Sequence, residues 1–230
     1  MVTFAISSSV VLRDPNFFRR MQRHWARGLT SFWGVELEVF GAENMPVGGS
    51  YVVMSNHASY ADIVALFIAL PVIPGFLAKR ELMRVPFLAA ALRAGGHVLI
   101  DRKRRGTARA ALESAAMQVR NEGKTVLIFP EGTRSPADTI DQFKSGGFHL
   151  AKSAGVPIIP VGLRGTGAIA PRNSILVYPG KIEVHIGAPI TPTEIASRQM
   201  NELVNEVRYR ITSLGALTPR EAGRGEPAPA

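Results

Sequence analysis

The sequence predicts a single α/β domain: a mostly parallel, mixed sheet flanked by helices, with an amphipathic helical segment at the N-terminus. Three observations carry this reading. From residue 35 onward, short apolar runs alternate with helix-length stretches, the pattern of a sheet covered by helices. The chain has 230 residues, which suits one such domain and leaves little room for a second. Ahead of this region, PNFFRRMQRHWARGLTSFW carries apolar residues at helical spacing with arginines between them.

The elements follow in order. Pro15 opens the N-terminal helix, whose stripe is Phe17, Phe18, Met21, Trp25, Leu29, Phe32 and Trp33. An aromatic stripe on an arginine-rich helix suits a membrane interface, and it equally suits packing on the main domain. The strand candidates are VELEVF, YVVM, GFLA, HVLI, TVLIF, PIIPVG and KIEVHI, and helices are expected near 60–70, 85–93, 107–122, 146–154 and 192–214. The last helix opens on Thr191-Pro192-Thr193-Glu194, a capping box with proline at the first helical position, and Gly215 closes it. The polar, Pro/Gly/Ala-rich tail reads as disordered. The expected organisation is therefore 1–34 amphipathic helix, 35–215 main domain and 216–230 tail.

Charge is placed unevenly. The net formal charge is +9, from 27 Lys and Arg against 18 Asp and Glu. Two stretches hold more than this surplus. Residues 13–27 carry Arg13, Arg19, Arg20, Arg23 and Arg27 against Asp14, and residues 79–109 carry nine cations against Glu81 and Asp101. Local basicity of this kind points to an anionic partner: a phosphorylated substrate, an anionic membrane or nucleic acid. With no cysteine, disulfides, thiolate metal sites and a cysteine nucleophile are excluded. No stretch reaches the roughly 20 apolar residues of a spanning helix. The expectation is a cytoplasmic protein held peripherally on the inner face of the cell membrane.

Ligands of α/β sheets collect at the carboxyl ends of strands. After YVVM comes SNHASYAD, which places His57 five residues ahead of Asp62. Ser59 to Asp62 also reads as a capping box, so Asp62 is either a helix cap or the partner of an imidazole base. DRKRR with Arg102 follows HVLI, and PEGTRS with Glu131, Gly132, Thr133 and Arg134 follows TVLIF. The run VPIIPV has its tip beside these if the sheet is parallel. Gly132-Thr133-Arg134 offers amides, a hydroxyl and a guanidinium to a phosphate. Together the residues suit deprotonation of a hydroxyl on a phosphate-bearing molecule as it attacks an acyl carbon. His57 is then the base, Asp62 its orienter, and Arg102 with Arg134 the phosphate clamp. There is no G-x-S-x-G elbow, so direct transfer is simpler than a covalent acyl-enzyme.

NHASYAD resembles the N-H-x4-D block of the glycerolipid acyltransferases, the 1-acylglycerol-3-phosphate acyltransferase-like family. GHVLIDR, FPEGTRS and VPIIPV resemble its second, third and fourth blocks in the same order, across residues 56–161. KREL, residues 79–82, resembles a further segment and makes Lys79 a candidate near the thioester. The second block departs from the usual pattern at Leu99, where an aromatic is usual, and at His97, where an apolar residue is common. The resemblance implies acyl transfer from acyl-CoA or acyl carrier protein to a lysophospholipid such as 1-acylglycerol-3-phosphate, with the thioester as co-substrate, no other cofactor and no metal.

Other classes fit less well. GGFHLAKS lacks the strand and the second glycine that a P-loop needs. A basic nucleic-acid module leaves His57, Asp62 and Glu131 unexplained, and nucleic acid is not expected as a partner. A metal hydrolase would require further ligands.

Overall fold

The computed structural model describes residues 15–46, 48–84, 89, 92–100 and 108–220. Among these residues the main sheet has seven strands, in the order β1-β8-β7-β2-β5-β3-β4. They are β1 (Val35–Phe40), β2 (Val52–Ser55), β3 (Gly75–Lys79), β4 (Val98–Ile100), β5 (Val126–Ile128), β7 (Ile158–Arg164) and β8 (Gly180–Ile186). Every neighbouring pair is parallel except β7 with β8. Five parallel strands therefore end on one edge, and β1 and β8 run against them. The sheet is mixed and mostly parallel, as the alternation of runs predicts.

Hydrophobicity decides which strand lies where. Val52, Val53 and Met54 of β2 are fully buried, and β2 lies centrally between β7 and β5. At the rim, VELEVF of β1 exposes its glutamates and keeps Val35 and Leu37 against the core, the alternation of a strand covered on one face. Edge strand β4 is blunted by a side chain: Gln118 of α3 (Ala108–Asn121) accepts from Leu99 N at 3.1 Å and donates to Leu99 O at 3.0 Å. His97, next to β4, accepts from Phe76 N at 3.0 Å through Nδ1, and burial with the nearby Lys124 charge pushes it below the ordinary histidine range. The polar residue at position 97 thus continues the pairing between β3 and β4.

Two layers of helix cover the sheet. α3, α4 (Gly146–Ala154) and α7 (Met200–Leu214) bury one face around Phe148, Ile158, Leu203 and Val207. α2 (Ala61–Ala69) and the short α5 (Thr166–Ile169) serve the opposite face around Leu66, Ile159 and Leu163. The helix expected over 192–214 is two: α6 (Pro192–Ser197) and α7, each with its own capping box, Thr191 with Glu194 and Gln199 with Glu202. Most of the helix expected near 85–93 lies outside the described residues. β6 (Thr139–Ile140) pairs in parallel with β9 (Thr218–Pro219), a small sheet with no counterpart in the apolar pattern. Order therefore extends past 216, where a disordered tail is expected, to residue 220, with Leu217 buried; residues 221–230 lie outside the described residues.

The N-terminal helix α1 (Pro15–Trp33) packs on α2. Ala26 is fully buried, and Trp25, Leu29 and Trp33 lie against a cluster that includes Val64, Phe67 and Ile73. Arg23 crosses to the C-terminus of α2 and donates to the carbonyls of Phe67, Leu70 and Pro71 at 3.3, 2.6 and 2.8 Å, which satisfies end groups the helix leaves unpaired. Exposed Arg20, His24, Arg27 and Ser31 recur on the outward face. Part of the stripe thus packs on the domain, and the surface that α1 presents is basic with Phe32 exposed at 86%.

Candidate active site

β2 ends at Ser55, and Asn56 extends its pairing with β7. Asn56 donates to Leu163 O at 2.9 Å and accepts from Leu163 N at 2.8 Å, so a side chain imitates one more strand residue. The next residue is His57. Its Nδ1 lies 2.6 Å from Asp62 Oδ2, and the same oxygen accepts from Ala58 N and Ser59 N, each at 2.9 Å. Ser59 Oγ accepts from Ala61 N at 3.0 Å and donates to Ala170 O at 2.8 Å. Ser59 and Asp62 thus bond reciprocally where the chain enters α2: Ser59 Oγ takes the amide of Ala61, the first helical residue, and Asp62 takes the amide of Ser59. The two readings of Asp62 merge: one oxygen both caps the helix and holds the imidazole. Because a carboxylate only accepts, Nδ1 carries the proton and the Nε2 lone pair is left for another partner. The His57 side chain is 16% exposed, Asp62 is 0% exposed, and the histidine ring stacks on Phe129 with centroids 4.0 Å apart.

The turn after β5 is stitched to the same histidine through the backbone. Glu131 is 2% exposed, and its Oε1 accepts from His57 N at 2.7 Å. Its Oε2 accepts from Asp141 N at 2.8 Å and makes a very short contact with Ser135 Oγ. Ser135 N donates to His57 O at 2.7 Å, so both backbone groups of residue 57 are fixed by this turn. Ser135 Oγ also lies 2.9 Å from Asp141 Oδ2. One hydroxyl proton cannot serve two ionised carboxylates, so the arrangement closes when one carboxyl carries a proton. Burial pushes Glu131 in that direction, above the ordinary glutamate range, against the bonds from Ser135, Asp141 N and His57 N.

At the mouth, Gly132 is left-handed at φ 76°, and a Cβ there would come 2.6 Å from Lys144 Nζ. Glycine lets the Lys144 ammonium lie against the turn. The Gly132 amide donates to Phe129 O at 3.0 Å within the turn, and Thr133 is exposed. Arg134 places its guanidinium 4.3 Å above the ring of the 67% exposed Tyr60 and donates to Arg172 O at 3.4 Å. Lys79 closes β3 on the same edge of the sheet, with its side chain outside the described residues. Arg102 lies outside the described residues. VPIIPV runs beside β2 with Pro160 aligned with Met54 and Val161 with Ser55, the last residue of β2, so its buried tip lies next to the site, as the parallel reading expects. β7 continues to Arg164, and its Leu163 bonds Asn56.

A carboxylate-held imidazole at the ends of parallel strands, beside a glutamate-braced turn carrying cations, is built mainly from the residues of two sequence blocks, NHASYAD and FPEGTRS. The sequence model of the Acyltransferase family matches residues 36–164, over half of the chain. The chain belongs to the acyltransferase family. It is 32% identical over 183 residues to the 1-acyl-sn-glycerol-3-phosphate acyltransferase alpha of Mus musculus, a match covering 79% of this chain and 64% of the mouse protein, a little under two thirds of its length. Against the 1-acyl-sn-glycerol-3-phosphate acyltransferase of Pseudomonas aeruginosa the identity is 30% over 219 residues, covering 92% of this chain and 83% of that protein. The crystal structure of the 1-acyl-sn-glycerophosphate (LPA) acyltransferase PlsC from Thermotoga maritima superimposes with a TM-score of 0.76 at 28% identity, covering 91% of this chain and 85% of that one.

Five contributors to the site go beyond the sequence-derived set: Asn56, Phe129, Ser135, Asp141 and Lys144. Asn56, Phe129 and Ser135 adjoin or fall inside the recognised blocks. Asp141 and Lys144 carry no local signal, because the fold of the 136–144 loop brings them in.

Proposed function

We propose that this acyltransferase moves a fatty acyl group from an acyl thioester to the free hydroxyl of 1-acylglycerol-3-phosphate, giving phosphatidic acid. The observation that carries the mechanism is the 2.6 Å contact between His57 Nδ1 and Asp62 Oδ2, which leaves Nε2 as the base. The acceptor hydroxyl gives its proton to Nε2 as its oxygen bonds to the acyl carbon. Asp62 stabilises the imidazolium, the C–S bond breaks, and the proton passes from Nε2 to the departing thiolate. The transfer is direct, and no acyl-enzyme forms.

Arg134 and Lys144 hold the acceptor phosphate at the mouth, with Thr133 beside them and Arg102 as a further cation of the same clamp. Lys79 serves the thioester end. Glu131 acts one step back by fixing the backbone of His57. The donor is acyl-CoA or acyl carrier protein. The protein works from the cytoplasmic face of the cell membrane, held peripherally by anionic lipid. The basic outward face of α1 supports the electrostatic part of that attachment, and no helix among the described residues is long and apolar enough to cross a membrane.

Purified protein incubated with labelled acyl-CoA or acyl carrier protein and a panel of lysolipids, read by mass spectrometry, tests this reading. Phosphatidic acid formed from lysophosphatidate in preference to lysolipids with larger headgroups is expected. Thioester hydrolysis with no acylated lipid would contradict it.

A further inference from the structure

A protein that binds a bilayer from one side needs charge against the headgroups and apolar side chains beneath them. α1 supplies the first, but Trp25, Leu29 and Trp33 of its stripe pack on α2, and of its large apolar side chains Phe32 stands out at 86% exposure. A second, denser apolar patch lies on the main domain. Between α5 and β8, the segment PRNSILVYP, residues 171–179, holds Ile175 at 99% exposure, Leu176 at 58% and Tyr178 at 46%. Three large apolar side chains facing water within four residues mark a contact surface rather than chance exposure.

The segment is built to present them. Ser174 N donates to Pro171 O at 3.1 Å, Leu176 N to Ser174 Oγ at 2.9 Å, and Tyr178 N to Ile169 O at 2.8 Å. Val177, between the exposed residues, packs inward on the core that contains Ile169 and Leu163. Its two ends are fastened to two functional places. At the front, Ala170 O receives Ser59 Oγ at 2.8 Å and Arg172 O receives Arg134 at 3.4 Å, which joins the segment to the active-site mouth. At the back, Gly180 N donates to Gly34 O at 3.3 Å, which joins it to the end of α1. Arg172 adds a cation within the segment itself.

From this we infer that residues 171–179 form a membrane-inserting loop, with Ile175 and Leu176 entering the acyl region of an anionic bilayer. The loop sets the mouth carrying Arg134 and Tyr60 at headgroup level. A lysophospholipid then reaches Nε2 of His57 without leaving the bilayer: its phosphate stays among the cations and its acyl chain stays in the membrane. The inference rests on the lipid-acylation reading for its purpose, while its test is independent of turnover.

The absence of cysteine allows a single label to report depth. Ile175→Cys and, on the opposite side of the sheet, Met117→Cys on α3 would each carry an environment-sensitive fluorophore in the full-length protein. Both are mixed with vesicles of phosphatidylcholine and phosphatidylglycerol that contain a lipid-borne quencher. The label at 175 should shift to the blue and be quenched, and the label at 117 should do neither. In parallel, the double variant Ile175→Asp, Leu176→Asp should bind vesicles at least about tenfold more weakly, given the size of two apolar burials. Its turnover on short-chain, fully dispersed substrates should be unchanged. Vesicle sedimentation with a water-like signal at 175 would overturn the loop and leave membrane attachment intact. Failure to sediment at low salt would overturn both. Insertion of the label by a protein that acylates no lysolipid would sustain the loop and reject the acylation reading.

Discussion

Asp62 and Glu131 make a close comparison: two carboxylates, at 0% and 2% exposure, both bonded to His57. One comes from the start of α2 and reaches the imidazole ring. The other comes from the turn after β5 and reaches only the backbone amide. The difference separates chemistry from placement. On the proposed mechanism a carboxylate on the ring stabilises the positive charge created when Nε2 takes the proton, whereas one on the main chain can act only by keeping that ring where it is. On that mechanism removing either should disturb catalysis, so the distinguishing signature is which property moves with it.

The largest effect belongs to the residue both carboxylates serve. His57→Ala should lower turnover by about 10² to 10⁴, the range of a positioned acid–base group, while folding cooperatively. Its ring is partly exposed and its backbone bonds to Glu131 and Ser135 survive the substitution. Steady-state kinetics with circular dichroism melting checks this.

Glu131→Gln should show the opposite balance. A glutamine offers one acceptor oxygen where two carboxylate oxygens now accept from three groups, so its amide faces a buried donor. The cost should be about 1 to 3 kcal/mol of stability, with a smaller loss of turnover. The pH dependence sharpens the comparison. Burial raises the folded-state value of Glu131, so the folded protein holds this proton more tightly than the unfolded chain. The resulting stability is present below the ordinary glutamate range and is lost as pH rises through the raised value. Melting followed across that window should fall with pH in the wild type and fall less in Glu131→Gln. Identical slopes would contradict the assignment.

Smaller effects are expected at the mouth. Arg134→Ala should raise the acceptor KM by about tenfold, the loss of one charge-assisted contact, with little change in the thioester KM. Lys144→Ala should do the same more weakly. If acceptor kinetics were normal in both, the phosphate would have to lie elsewhere.

The sheet was legible because burial wrote it into the sequence. VVM of β2 and VLI of β5 are central and continuous, and VELEVF alternates at the edge. The small β6–β9 pair was not legible, since two-residue strands hold no periodicity. The split between α6 and α7 hides behind the stronger signal at Thr191, although Gln199 and Glu202 repeat it. In the site, His57 and Asp62 were readable from their spacing, whereas the single oxygen that joins cap and base is a matter of geometry. Glu131 was read as a candidate substrate-binding residue, yet both its oxygens are bonded within the protein; a sequence gives no sign of which atom a carboxylate will meet. The aromatic stripe of α1 left two answers open: Trp25, Leu29 and Trp33 pack with Val64 and Phe67, while Phe32 stays 86% exposed.

The central claim is that the Asp62 charge, acting through the ring of His57, promotes proton transfer. Asp62→Asn tests it most directly. His57 Nδ1, Ala58 N and Ser59 N all meet one oxygen, so the amide oxygen of asparagine can take over all three bonds and keep the cap, the tautomer and the ring position. The negative charge is lost and an amide NH2 takes the place of Oδ1, which is buried without a partner among the described residues. Turnover and melting temperature are to be measured on the same preparation. The account predicts turnover lower by about 10² or more in a protein that still melts cooperatively, within several degrees of the wild type. Full turnover in a well-folded Asp62→Asn protein would contradict it and reduce Asp62 to the cap of α2.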